Sequence, residues 1–491
     1  MRVLLKIAFR NLREHRTKTL IIGSIIALGL VILVVGNSFL DTAEEGIRKM
    51  YTENFTGHVL ITNSLNESPS LFMGPGTVNG EQTPVIQEYK ELLTFLEDLP
   101  GVESTVSQIT GFATADIGGE GKAFLQLFSV EPENYLEMFP DTIELIDGRF
   151  LKSDETGVVL SKDVVEMLAE SSGSEVKPGD KILLTNINVR SGTKIREVEI
   201  KGIIRFKSEA PNLTLVSYID LTSMRALSGM TRVTDVSADL TGEEQTGLGA
   251  VDEKDLFGGG EGLFTDTDLN TETFLEDDLL TILGDTSEAE LYRELDPNAW
   301  QYVLLKLEDG QSADRTIRSL NTYFTKNDIS LRAYGWVEAA GGVAQLVSGL
   351  KTVFNGLIFV VAVVAVIIIM NTLVISITER IREIGTMRAI GAQRSFVRRM
   401  IIFETLIISL LFGIIGIGLG SGIIGILNMT GIEASNMFMQ VIFGGPVLNP
   451  VLNAGSILTS LVMVVAVGIL ASLYPTAVAL KIEPVRAMNQ R

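Results

Sequence analysis

Residues Val353–Ile377 read VFNGLIFVVAVVAVIIIMNTLVISI. As a helix rising about 1.5 Å per residue, a run of this length crosses the roughly 30 Å hydrocarbon core of a bilayer. Three other runs share its character: Leu20–Phe39, Ile401–Ile426 and Ile457–Leu480. A hydrophobic share of 46% and a mean hydropathy of +0.31 over 491 residues suit a membrane protein that carries a sizeable globular part. The order of the runs is informative. One stands near the start, a long water-loving block follows, and the other three arrive close together.

The net charge of −20 divides unevenly along the chain. Residues 41–352 hold 54 Asp/Glu against 25 Lys/Arg, whereas the remainder is basic. Lys and Arg cluster in the first segment (Arg2, Lys6, Arg10, Arg13, Arg16, Lys18), between the second and third runs (Arg380, Arg382, Arg388, Arg394, Arg398, Arg399) and in the tail (Lys481, Arg486, Arg491). The segment Leu427–Ser456 has none. By the positive-inside rule both termini and the second loop are cytoplasmic, and the large block and the third loop lie outside. The first run is longer than the apolar core of a signal peptide, and Gly36-Asn37-Ser38-Phe39 lacks a small-x-small cleavage site, so it reads as an uncleaved anchor.

The expected fold class is therefore an α-helical membrane protein with four transmembrane helices, 19–40, 353–377, 401–426 and 457–480. A large α+β extracytoplasmic domain, 41–352, is inserted between helices 1 and 2. A cytoplasmic amphipathic helix (1–18), a coupling segment (378–400), an outer loop (427–456) and a cytoplasmic tail (481–491) complete the chain. In the first of these, Arg2, Lys6, Arg10 and Arg13 share one arc and Leu4, Leu5, Ala8, Phe9 and Leu12 the other.

Within the outer block, strands are expected at Gly57–Thr62, Ala123–Val130, Gly157–Leu160, Lys181–Asn186, Glu197–Ile204, Trp300–Leu307 and Ser330–Ala333. Helices are expected at Gln87–Leu99, Lys162–Leu168 and Ser312–Thr325. The two ends repeat a β-α-β pattern and so build one outer subdomain. A strand-rich subdomain, about 136–240, is inserted into it. Residues 241–296 are crowded with acids and Gly. Asp266-x-Asp268-x-Asn270-x-Glu272 has the alternating oxygens of a calcium loop, but Thr271 and Asp277 stand where an EF-hand needs Gly and Glu, so a solvated acidic loop is the expectation.

The stretch Glu379–Arg394, ERIREIGTMRAIGAQR, joins two spans directly. Ile381, Ile384, Met387 and Arg388 recur at helical spacing, which gives one face apolar enough to dock on something. Gly385 costs about 1 kcal/mol in mid-helix, and a closely packed partner would account for it. Gly391-Ala392 suits a helix end. Such a rod, fixed at both ends, moves its spans when it is pushed. The spans themselves hold few polar groups: Asn371 and Thr372 in the second, and Glu404 near the inner end of the third, close to Arg398-Arg399. Gly416-x-x-x-Gly420 and Gly418-x-x-x-Gly422 permit close helix contact within one subunit or between two.

Cys is absent, there are two His (His15 and His58), and no Ser–His–Asp set is evident, so thiol, zinc and nucleophilic chemistry are not expected. No catalytic residue, metal or cofactor is expected. No G-x-x-x-x-G-K-[ST] occurs, so ATP binding in a P-loop is assigned to a separate protein. No nucleic-acid partner is expected.

Glu379-Arg380-x-Arg382-Glu383-Ile384-Gly385-x-x-Arg388-Ala389-x-Gly391-Ala392 resembles the coupling helix of MacB/FtsX/LolC-type ABC transporter permeases. Glu404 stands where that family often has an acid. Ala8-x-Arg10-Asn11-Leu12, Val130-x-Pro132, Gly148-Arg149 and Val176-Lys177-Pro178-Gly179-Asp180 are similar to its other signatures. The resemblance implies a type VII, mechanotransmission permease in the bacterial cytoplasmic (inner) membrane. It would be a non-enzymatic subunit that pairs with a cytoplasmic ABC ATPase and a second permease subunit, as homo- or heterodimer. ATP-driven closure would pull on Glu379, Arg382, Glu383, Ile384, Gly385, Arg388, Gly391 and Ala392 and change the shape of the outer domain. The size of that domain favours the lipoprotein-releasing LolC/LolE-like branch, acting on lipoproteins, lipids or other amphipathic exports. The alternative is an FtsX-like relay controlling a cell-wall hydrolase. A membrane-anchored sensor or adhesion protein without an ATPase is disfavoured by the three closely spaced final spans.

Overall fold

The computed structural model describes residues 10, 14, 16–67, 69–72, 83–119, 121–188, 192–207, 213–233, 293–436, 439–440, 443 and 445–481. Most of the expected inner helix 1–18, the calcium-like motif, most of the acidic insertion 241–296 and most of the tail 481–491 lie outside these residues.

In chain order, α1 (Arg16–Tyr51) runs into a π-helical turn at Thr52–Thr56 and then β1 (Val59–Asn63). Next come α2 (Tyr89–Glu97), β2 (Val102–Ile117), β3 (Gly121–Val130), α3 (Pro132–Met138), β4 (Ile143–Gly148) and β5 (Val158–Ser161). They are followed by α4 (Lys162–Ser172), β6 (Lys181–Asn188), β7 (Gly192–Phe206), β8 (Val216–Ile219), α5 (Leu221–Ser228), β9 (Thr231–Val233) and β10 (Arg293–Leu295). Then β11 (Tyr302–Leu307), α6 (Ala313–Lys326), β12 (Leu331–Gly335) and α7 (Trp336–Ala340) lead into α8 (Gly342–Glu379), α9 (Ile381–Ala389), α10 (Arg394–Thr430) and α11 (Ala454–Lys481).

Among the described residues, four helices are long and apolar enough to cross a membrane: Thr19–Thr56, Gly342–Glu379, Arg394–Thr430 and Ala454–Lys481. Three of them outrun the apolar segments read from sequence. The reason is plain in α1. Ala43, Ile47, Tyr51 and Phe55 follow the last membrane residues at four-residue intervals, and all four are buried. Their stripe continues the helix beyond the bilayer and into the core of the outer domain, beside Phe72, Phe128 and Tyr218. Ala344 and Val347 of α8 enter the same core. Two membrane helices are thus continuous with the folded centre of the outer domain.

The outer domain is organised by one sheet with the order β12-β1-β11-β2-β3-β8-β5-β7-β4, in which β6 pairs with both β2 and β7. The first four strands come from the two ends of the block, β1 lying antiparallel between β11 and β12. The other pairings close a ring: β2 to β3, β3 to β8, β8 to β5, β5 to β7, β7 to β6 and β6 back to β2. The long strand β2 serves both parts, pairing with β11 through Val102–Gln108 and with β6 through Thr114–Asp116. The strands of the middle stretch are therefore hydrogen-bonded into the same sheet as the ends. Where α1 and α8 arrive, Tyr51 and Phe72 meet edge to face at 5.4 Å, and the Tyr135 and Tyr218 hydroxyls lie 3.0 Å apart, both fully buried. Burial pushes both phenols above their ordinary pKa, and one hydrogen bond joins the two hydroxyls.

In the membrane bundle, small residues set the spacing. A Cβ at Gly416 would lie 2.7 Å from the Ala27 carbonyl oxygen, and one at Gly420 would lie 3.1 Å from Val34. That pair therefore packs α10 on α1 within one chain. Gly418 and Gly422 face open space. At the end of the bundle next to the outer domain, Lys351 of α8 pairs with Asp41 of α1 at 3.1 Å and with Glu44. Asp41 also accepts a hydrogen bond from Ser456 of α11. The Ser38 hydroxyl donates to the Val451 carbonyl at 2.8 Å, and the Val451 amide donates to Thr42 at 2.8 Å.

Candidate functional site

The opposite end of the bundle holds the short helix α9, between the ends of α8 and α10. Its boundaries follow from local chemistry. Arg380 sits at the junction with α8, its N–H bonded to the Ile377 carbonyl at 3.0 Å. At the other end Gly391 takes φ 108°, outside the range that residues with a Cβ favour. There the Gly391 N–H bonds the Arg388 carbonyl (3.1 Å) and the Ala392 N–H bonds the Met387 carbonyl (3.0 Å). This paired arrangement stops a helix sharply and satisfies its last carbonyls. Gln393 then starts α10.

One face of α9 is covered. Ile384 and Gly385 are buried. Ile384 packs with Ile377, Val397, Met400, Ile401 and Ala479, with Met387 at the margin. The apolar face read from the sequence thus docks on the ends of its own chain's membrane helices. Arg388, half-buried, brings a guanidinium nitrogen to 3.5 Å from the Leu480 carbonyl at the end of α11. The opposite face is open: Glu379, Arg382, Glu383, Thr386, Ala389, Ile390 and Gly391 are exposed, and Ala392 is half-buried. Ile390 is the apolar outlier there, 83% exposed.

The eight expected coupling residues therefore divide. Ile384, Gly385 and Arg388 hold the helix to the bundle, Gly391 and Ala392 end it, and Glu379, Arg382 and Glu383 face outward. Asn371 is exposed on α8. For Glu404 the sequence pointed to the neighbouring Arg398-Arg399, and this is corrected. Both of those side chains are exposed. They precede Glu404 by six and five positions, which are not same-face helical spacings. Arg380 holds Glu404 instead, placing one nitrogen 3.1 Å from each carboxylate oxygen. Arg380 also lies 3.4 Å from Glu383. The Arg380 side chain is 8% exposed and that of Glu404 15%. Both line a small cavity of about 20 Å³ with Ser376, Ile384 and Thr405. In the sequence Arg380 stood only as one of six arginines after the second span, three residues beyond Ile377.

Residues 19–248 match the MacB-like periplasmic core domain family, and residues 355–484 match the FtsX-like permease C-terminal family. Together these matches take in most of the chain, in the order outer domain then membrane bundle. In both parts the chain is similar to MacB/FtsX-like permeases. It is 25% identical over 182 residues to an uncharacterized ABC transporter permease, YknZ, of Bacillus subtilis (strain 168), covering 37% of this chain and 42% of that protein. It is 26% identical over 194 residues to a probable export ATP-binding/permease protein, MacB, of Pseudomonas entomophila (strain L48), covering 38% of this chain and 26% of the relative. The alignments thus span less than half the length of these relatives. Among solved structures, the periplasmic region of MacB from Actinobacillus actinomycetemcomitans aligns at 12% identity and a TM-score of 0.28, covering 58% of this chain and 92% of that one.

As that similarity implies, the described residues hold four helices able to cross a membrane, with a large α/β domain between the first two. In the outer domain, His58 accepts the Leu307 N–H at 3.0 Å through Nδ1. Burial lowers its pKa, and the positive charges of Arg48 and Lys306 lower it further.

Proposed function

We propose that this chain is the permease subunit of an ABC transporter in the bacterial cytoplasmic membrane, with its α/β domain outside. It couples ATP hydrolysis by a separate cytoplasmic ATPase to a change of shape in that domain, and it works with a second permease subunit. Substrates are lipoproteins or other amphipathic molecules handled at the outer face. The observation that carries the reading is α9. It is seated on the bundle by Ile384 and presents Arg382, Glu383 and an almost fully exposed Ile390 away from it. A small apolar knob ringed by charges is a surface that a soluble protein can grip. α1 and α8 provide the output, since each runs unbroken from the bundle into the core of the outer domain. A two-state bundle biased by an ATPase would need about 5.5 kcal/mol of differential binding to pass from 1:99 to 99:1.

The test is capture of an ATPase by the full chain from native membranes, followed by turnover measurements. Arg382→Glu with Arg388→Glu, or Gly391→Trp, should abolish stimulated turnover while the protein still inserts. Unchanged stimulation in both variants would overturn the reading. Charged-residue accessibility to an impermeant reagent checks the orientation: Lys181 and Lys194 should label from outside and Arg382→Cys should not.

A further inference from the structure

The buried Arg380–Glu404 pair is not the only contact that seats α9. The Ile384 contacts already seat α9, and the two helices are adjacent in sequence. Its placement is nevertheless specific. Arg380 lies at the hinge where α8 hands over to α9, and its guanidinium reaches across to α10, a helix that the chain enters only after α9 has ended. Glu404 lies well inside α10, whose first residue is Arg394. One guanidinium nitrogen sits at equal distance, 3.1 Å, from both Glu404 oxygens, while Nε is 3.4 Å from Glu383 on α9. One cation thus ties three helices, beside a small cavity of about 20 Å³. α10 in turn packs on α1 through Gly416 and Gly420, and α1 enters the outer core.

We infer that Arg380 is a positioning residue which fixes α9 to α10 through Glu404, so that force applied to α9 is delivered to α10 and from there to α1. This deepens the permease reading and rests on it for the source of the force. Without the pair, α9 keeps its apolar seat but moves independently of α10. Arg380→Lys keeps the charge but loses the planar fork, and it gives intermediate behaviour.

The chain has no cysteine, so single cysteines introduced on the open face of α9 report cleanly. The experiment places a nitroxide at Thr386→Cys and a second in α10 at Ser395→Cys, in the full chain reconstituted in lipid nanodiscs. The readouts are line shape and interspin distance by electron paramagnetic resonance. Arg380→Gln and Glu404→Gln should each broaden the distance distribution at least twofold. The swapped pair Arg380→Glu with Glu404→Arg should narrow it again. If the neutral variants match the parent distribution, the clasp does not position α9 and the inference is overturned. The same result follows if the swapped pair stays as broad as the single variants. A second arm measures turnover of the captured ATPase: Arg380→Gln should retain ATPase binding and lose at least tenfold in stimulated turnover. Failure of the parent chain to bind any ATPase overturns the permease reading, while the resonance arm still decides the clasp.

Discussion

Both ends of the membrane bundle are tied by charge, and the two ties differ in burial. Next to the outer domain, Lys351 bridges Asp41 and Glu44, with side chains 37%, 19% and 41% exposed. At the α9 end, Arg380 and Glu404 are 8% and 15% exposed. Partly solvated pairs gain little, because water and salt screen them and long side chains lose freedom when held. A buried pair differs. Its formation only roughly offsets desolvation, yet removing one partner leaves the other charge poorly solvated. The outer tie therefore adjusts the bundle, whereas the α9 tie makes a choice between paired and unpaired that a moving helix must respect.

The comparison can be broken most directly at the buried end. Arg380→Ala should destabilise the bundle by about 3–5 kcal/mol, the usual effect of stranding a buried partner. Thermal unfolding in detergent followed by size exclusion reads this, and a loss under about 1 kcal/mol would place the two ties in one class. Next comes the packing between them. Gly416→Leu must push against the Ala27 carbonyl and Leu30, and overpacking of this kind costs about 1–3 kcal/mol. Gly418→Leu, facing open space, should leave the same melting curve unmoved. Gly391→Ala forces a Cβ into a positive-φ position at about 1–2 kcal/mol, and proteolysis at the α9–α10 junction should rise accordingly.

At the exposed end, Lys351→Ala should cost no more than about 1 kcal/mol and lose most of that effect in high salt. A salt-independent cost would show that this pair too is effectively buried. The smallest expected effect is in the outer domain. His58 is held neutral, so its pKa in the folded chain lies below the ordinary value near 6.5. The unfolded chain then takes up the proton first. Stability is full above about pH 6.5 and declines as pH falls below it. Melting of the outer domain between pH 8 and pH 5, followed by the fluorescence of Trp300 and Trp336, should show the decline, and His58→Gln should flatten it.

The membrane helices were legible because the bilayer imposes a length and a composition that few soluble segments share. The end of α9 was equally open to reading, since Gly391 is the residue that a sharp helix stop requires. β2 was not. Its sequence, VESTVSQITGFATADI, mixes Ser, Thr, Gly and Ala without clean alternation. It is a strand because β11, β3 and β6 use its backbone, and Gly111 lies in it because Met224 of α5 packs where a side chain would sit. The sequence suggested an inserted strand-rich stretch at about 136–240, but not that β2 pairs both with β11 and with β6, which is a matter of pairing at long range.

Glu404 shows the boundary between the two kinds of information. Its cost in an apolar helix could be stated from the residue alone, and so could its need for a cation. Which cation answered that need could not, because Arg398 and Arg399 were nearer along the chain and Arg380 was nearer in space. Apolar length, charge asymmetry and the glycine stop are properties of consecutive residues, so the order of the chain determined them. Partnership across helices depends on the angle at which α9 leaves α8 and on which face of α10 turns inward. Packing sets both, and only the folded chain decided them.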